Sequence, residues 1–142
     1  MKKTTQELLQ LMQSECDYNS YLDRNRESLK GSTMRIDRAL NVMLAEKHLK
    51  RADVIQKSGI EKHYAYQIFS GTKKPTRDKV LELCFGMDLT IEETQDLLKI
   101  TGYAQLYSKD PRDNAILFGL LHHRSVLDMN ITLADLDLPI ME

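Results

Sequence analysis

Apolar side chains in this sequence recur at intervals of three and four along almost its whole length, and no segment alternates convincingly at an interval of two. On a helix that spacing gathers the apolar groups on one face, whereas a half-buried strand needs the alternation. The predicted fold class is all-α. Thr4 with Glu7 is spaced as a capping box ahead of Leu8, Leu11, Met12 and Cys16, and Asp17 is placed to cap a helix carrying Tyr18, Leu22 and Leu29. The tetrapeptide KGST, residues 30–33, breaks the pattern with a glycine and offers Ser32 or Thr33 as a new cap, so a boundary is placed there. Beyond it Ile36, Leu40, Met43 and Leu44 line one helix, Val54 and Ile55 a short one, and Val80, Leu81, Cys84 and Met87 a later one. Five helices are expected across residues 32–106, with a helical arm at 1–31 and a helical hairpin at 107–142.

A chain of 142 residues can bury one ordinary core, and 42% hydrophobic with 29% charged residues excludes disorder as the default. The longest strictly apolar run, Ala115 to Leu121, is far short of a membrane span. The start, MKKTTQELLQLMQSE, places acids and glutamines where a signal peptide needs an apolar stretch, so a cytoplasmic protein is expected. Cys16 and Cys84 lack metal-type spacing and read as buried thiols rather than a disulfide. His122 and His123 are adjacent, and neighbours on a helix diverge by about 100°, which prevents chelation. Neither a nucleophile elbow nor a glycine-rich phosphate cradle is present. No catalytic residue, metal or cofactor is therefore expected, and no enzyme.

The stretch SGIEKHYAYQIFSG, residues 58–71, carries most of the functional signal. Gly59 and Gly71 each follow a short helix, where a chain leaving a helix favours positive φ. If residues 61–69 are helical, Ala65, Ile68 and Phe69 turn inward, Ile60 plugs the turn and Tyr64 lies at the edge. Lys62, His63, Tyr66, Gln67 and Ser70 then share the outer face.

Residues 49–81, LKRADVIQKSGIEKHYAYQIFSGTKKPTRDKVL, resemble the helix-turn-helix of the phage repressor and Cro family, also called the XRE family. The match runs without a gap through Val54-Ile55, Gly59-Ile60, Ala65, Ile68, Gly71 and Pro75, and with the neighbouring helices covers about residues 34–102. The resemblance implies a five-helix repressor-like domain whose second motif helix enters the DNA major groove, in a protein that binds as a homodimer. It places Lys62, His63, Tyr66 and Gln67 at base edges. Lysine suits guanine O6 and N7, and glutamine pairs with adenine. Tyr66 has two open roles, packing on a thymine methyl or lying along the backbone. The chain departs from the family pattern at Ile55, where alanine is usual, at Phe69, where glutamate is common, and at Glu61, where serine or threonine caps the helix beside a phosphate.

Charge is distributed in keeping with that reading. Between Arg35 and Lys79 there are eleven Lys and Arg against five acids, a net of +6, and the remainder of the chain carries −7. Lys50, Arg51, Lys73, Lys74 and Arg77 flank the motif where phosphates would lie. The expected function is a double-stranded DNA-binding transcriptional regulator. The alternative is an adaptor that keeps the fold without strong DNA binding and holds a protein partner through Tyr64, Tyr66 or the C-terminal tail.

A shift of 35 aligns residues 76–106 with 111–141 without a gap. Arg77-Asp78 meets Arg112-Asp113, Leu81 meets Ile116, Leu83 meets Phe118, Ile91 meets Val126 and Leu98 meets Leu133. Thr90 with Glu93 and Ser125 with Asp128 are matching caps, and Asp110-Pro111 opens the second unit as cap and first helical residue. Two accounts fit: a repeated hairpin whose copies cover each other's apolar faces, or two amphipathic hairpins alike by coincidence. The tail LADLDLPIM, residues 133–141, is apolar and acidic and suits packing or a subunit contact. Dimerisation is expected through the N-terminal helices or the hairpin at 111–141.

Overall fold

The computed structural model describes residues 5–7 and 33–142. The chain divides into two units, residues 1–33 and 34–142. Residues 5–7 are helical. The remaining expectations for the arm at 1–31, including its capping box, Cys16 and Asp17, lie outside the described residues.

The second unit is all-helical, with no strand among the described residues. Its helices are α1 (Ile36–Glu46), α2 (Arg51–Ser58), α3 (Lys62–Ser70), α4 (Arg77–Gly86), α5 (Ile91–Ile100), α6 (Pro111–Leu121) and α7 (Val126–Asp135). Caps set most of the starts. Thr76 accepts from the Lys79 amide, Thr90 and Glu93 close a reciprocal capping box, Asp110 accepts from Asp113 ahead of Pro111, and Ser125 accepts from Asp128. The first start differs from expectation. α1 opens at Ile36 with Arg35 in the cap position and no side-chain cap, so Thr33 does not cap it. Instead, the Met34 amide donates to Ile100 O at 2.8 Å, tying the chain before α1 to the end of α5.

One core runs through the unit. α1 packs on α3, α2 on both α3 and α4, and α4 on α5. Leu40, Ile68, Val80, Leu81, Leu83, Leu89 and Leu98 are fully buried, and burying each such side chain stabilises by about 1.5–3 kcal/mol relative to leaving it exposed. The α2–α4 contact is close: a Cβ at Gly86 would stand 2.7 Å from the carbonyl oxygen of Val54. Backbone cannot yield there as a side chain would, so Gly86→Ala would force the two helices apart. Cys84 is a free thiol in this core, and burial pushes its pKa up to about 12.

The repeat is present in three dimensions. α4 with α5 forms one hairpin and α6 with α7 the other, packed so that α4 meets α7 and α5 meets α6. Polar contacts recur at the same offset of 35. Gln95 brackets Leu106 through its amide and carbonyl, and Asn130 brackets Met141 in the same way. Arg77 donates to Ala104 O and Gln105 O, and Arg112 to Pro139 O and Ile140 O. Asp88 and His123, the equivalent residues two positions after the first helix of each hairpin, both adopt φ of 53°. Coincidence of amphipathic pattern alone would not reproduce these backbone contacts. The tail is docked by Arg112 and Asn130, and its Met141 is buried.

Candidate nucleic-acid interface

The geometry of α3 begins with Glu61. Its carboxylate accepts from the amides of His63 at 2.9 Å and Tyr64 at 2.8 Å, supplying the acceptors that the first helical turn lacks. Those amide hydrogen bonds hold its carboxyl below the usual glutamate range. The helix therefore starts at Lys62, one residue later than expected, and ends at Ser70. Gly71 follows with φ of 84°. Ala65, Ile68 and Phe69 are buried, as their spacing predicts, and Ile55 and Ile60 lie in the same core. Tyr64 is half-buried.

Arg51, His63, Tyr66, Gln67, Phe69 and Ser70 line one open concavity of about 310 Å³ on the outer face. Three of the four residues expected at base edges are thus brought together. Lys62 is exposed and lies outside that lining. Arg51 is fixed beside α3 by two contacts. Its Nη2 donates to Asn41 Oδ1 at 2.8 Å, and its guanidinium stands 5.4 Å from the centroid of the Phe69 ring. Asn41 in turn donates to Phe69 O at 2.9 Å and to Asp37 O at 2.8 Å, so one side chain clamps α1, α2 and α3 together. Sequence reasoning missed Asn41, because an asparagine on an amphipathic helix carries no pattern that distinguishes a clamp from a solvated residue.

The basic residues separate into two groups. Lys73 and Lys74 are exposed in a turn held by the Thr72 and Lys73 amides, which both donate to Gln67 O. Lys74 Nζ is 5.9 Å from the centroid of Tyr103, whose hydroxyl donates to Pro75 O at 2.5 Å. Lys50 is exposed immediately before α2. Arg77, expected beside a phosphate with these, is held elsewhere: it donates to both carboxylate oxygens of Asp113 and to two backbone carbonyls, using four of its five N–H donors. It bridges the two hairpins.

The same distinction applies to the whole basic segment. Arg35, Lys47, Arg77 and Lys79 pair with Asp37, Glu93, Asp113 and Glu82. Arg38, Lys50, Arg51, Lys57, Lys62, Lys73 and Lys74 have no ion-pair partner among the described residues. These seven charges remain available to an anion, and all but Arg38 stand at or near the ends of α2 and α3.

Elsewhere, no group of three or more His, Cys, Asp or Glu residues that could hold a metal occurs among the described residues. His122 packs its ring 4.2 Å from that of Phe118, and His123 Nδ1 lies 2.8 Å from Asp88 Oδ1. No helix among the described residues is long and apolar enough to cross a membrane. Comparison with protein-family models, curated proteins and solved structures finds no significant match.

Proposed function

We propose that this chain is a sequence-specific regulator of transcription that binds double-stranded DNA with α3 in the major groove. The observation that carries the reading is the two-sided character of α3. Its inner face is locked in the core, and its outer face sets His63, Tyr66 and Gln67 beside Arg51 in one concavity. A rigidly held helix with polar side chains on its free face is what direct readout of base edges requires. In this reading Gln67 reads adenine, Lys62 reads guanine, and Lys50, Arg51, Lys73 and Lys74 meet phosphates. A homodimer would set two such helices about 34 Å apart on a near-palindromic site. Binding of labelled random duplex DNA, at low salt and again at higher salt, tests the proposal. Tight binding that weakens steeply with salt is expected, and weak binding at low salt overturns it.

Two observations favour a second reading, the protein-interaction adaptor. The Glu61 carboxylate occupies the helix terminus that would otherwise meet a phosphate, and Arg77 is engaged by Asp113. The adaptor would bind duplex DNA poorly and hold a protein through Tyr64, Tyr66 or the tail around Leu138. Loss of a captured partner on changing Tyr66 or Leu138, with no duplex binding, is its signature.

A further inference from the structure

The internal repeat supplies a control for its own surface. Glu92 and Asp96 stand on the outer side of α5, where charged residues suit a face turned to water. The equivalent positions on α7 carry Leu127 and Ile131, which are 69% and 51% exposed. At these two positions one backbone arrangement presents carboxylates in the first hairpin and large aliphatic groups in the second, and one turn further on the order reverses, with Ile100 51% exposed on α5 and Asp135 on α7. Spaced four apart, Leu127 and Ile131 form a single stripe along α7. α6 shows a related difference. Its Phe118 and Leu121 are exposed, whereas the equivalent Leu83 and Gly86 on α4 are buried, with Gly86 against the backbone of α2.

The charges at the two ends of α7 indicate what covers this stripe. Arg124 stands before the helix, while Asp135 ends it and Asp137 follows. None of the three has an ion-pair partner among the described residues. Asp128 in the first turn suits the helix dipole, but Arg124 just before the helix and Asp135 at its end each stand where the dipole disfavours their charge. A second α7 laid antiparallel satisfies both features. With a twofold axis near residue 129, Leu127 meets Ile131 of the second copy and Arg124 comes level with Asp135 of the second copy to within one residue. A twofold contact makes each such pair twice.

We propose that the second hairpin is a self-association surface, in which α7 packs antiparallel on α7 of a second copy through Leu127 and Ile131, flanked by Arg124–Asp135 pairs. The proposal does not depend on DNA, and its test is made without it. Sedimentation equilibrium of the full chain should show a monomer–dimer equilibrium. L127E/I131D installs on α7 the acids that the first hairpin carries at these positions, so it should fold with an unchanged helical spectrum and sediment as a monomer. R124D and D135R should each weaken the dimer by about tenfold, and R124D/D135R should restore it, because the reversed charges again face opposite charges. A wild-type monomer at every concentration overturns the proposal. So does a dimer that survives L127E/I131D, or a reversed pair that fails to recover.

Discussion

Arg77 and Asp113 join the two hairpins through a bidentate ion pair, with Nη1 3.1 Å from Oδ1 and Nη2 3.0 Å from Oδ2. Arg112 and Asp78 make the reciprocal pair at 3.0 Å for both bonds. Each hairpin thus gives its arginine to the aspartate of the other, the relation expected of a twofold contact between like units. The two hairpins behave as an internal dimer, joined by a short connection where separate chains would need association.

The two pairs are not equal in worth. The Asp113 side chain is 10% exposed and also accepts from the Tyr107 amide at 2.9 Å, whereas that of Asp78 is 26% exposed and receives only a longer bond from Glu142 at 3.3 Å. Asp113→Asn should cost about 2 kcal/mol, between the ~0.5 kcal/mol of exposed pairs and the ~3–5 kcal/mol of broken buried ones. Asp78→Asn should cost less. Urea unfolding of the two variants checks the order.

The same pair gives a pH dependence with a defined sign. Burial alone would raise the Asp113 pKa, but hydrogen bonds from Arg77 and the Tyr107 amide, with the charges of Arg77 and Arg112, outweigh it and hold the pKa below the usual range. A depressed folded-state pKa contributes stability that is complete above the unfolded value, about 3.9 for aspartate, and is lost as pH falls through the folded value. The stability difference between wild type and Asp113→Asn should therefore be constant near neutrality and shrink below about pH 4. Urea midpoints measured for both proteins from pH 7 down to pH 3 test this, and a difference that widens on acidification contradicts it.

If the chain binds DNA as proposed, its phosphate contacts are counted from the members of the expected set that have no ion-pair partner. With Arg77 engaged, Lys50, Arg51, Lys73 and Lys74 remain, and four contacts imply a log–log salt slope of about −3.6 per monomer, and about twice that for a dimer. Lys73→Glu with Lys74→Glu should flatten the slope and weaken binding to every duplex alike, because phosphate contacts position without reading sequence. Both lysines are exposed, so unfolding should be unaffected. Unchanged affinity and slope would remove this turn from the interface.

Gln67→Ala addresses base readout. It should relax preference at one base pair at a cost of about 1–3 kcal/mol on the preferred site, with little loss on random duplex. The carbonyl that anchors the Thr72 and Lys73 amides belongs to the backbone of Gln67, so the turn after α3 survives the change. Equal losses on preferred and random DNA would show that Gln67 does not read a base.

Much of the second unit is legible in the sequence. Helix starts at Thr90, Asp110-Pro111 and Ser125 and the glycine stops at 59 and 71 depend on contacts within one turn of chain, and local chemistry decides them. The division of α3 into a buried and an outer face is likewise local, since it needs only the helical period and side-chain type. The start of α1 escaped this reasoning because the segment before it is tied down by Ile100, far along the chain.

Tertiary structure alone decided which charges are free. From the sequence Arg77 is expected near phosphates, while Asp78 beside it and Asp113 at the equivalent position 35 residues later read as acids suited to the helix dipole in a first turn. Neighbouring residues on a helix point about 100° apart, so neither Arg77-Asp78 nor Arg112-Asp113 can close on itself. Only the packing of α4 against α7 and α5 against α6 brings each arginine to the aspartate of the other hairpin. The sequence by itself determined most of the helices and their faces, because these follow from periodicity and short-range capping, and it left the repeat open until the packed hairpins showed the same contacts at an offset of 35. Pairing Arg77 with Asp113 and clamping Arg51 through Asn41 required the fold, because each depends on residues distant in sequence meeting within a few ångströms.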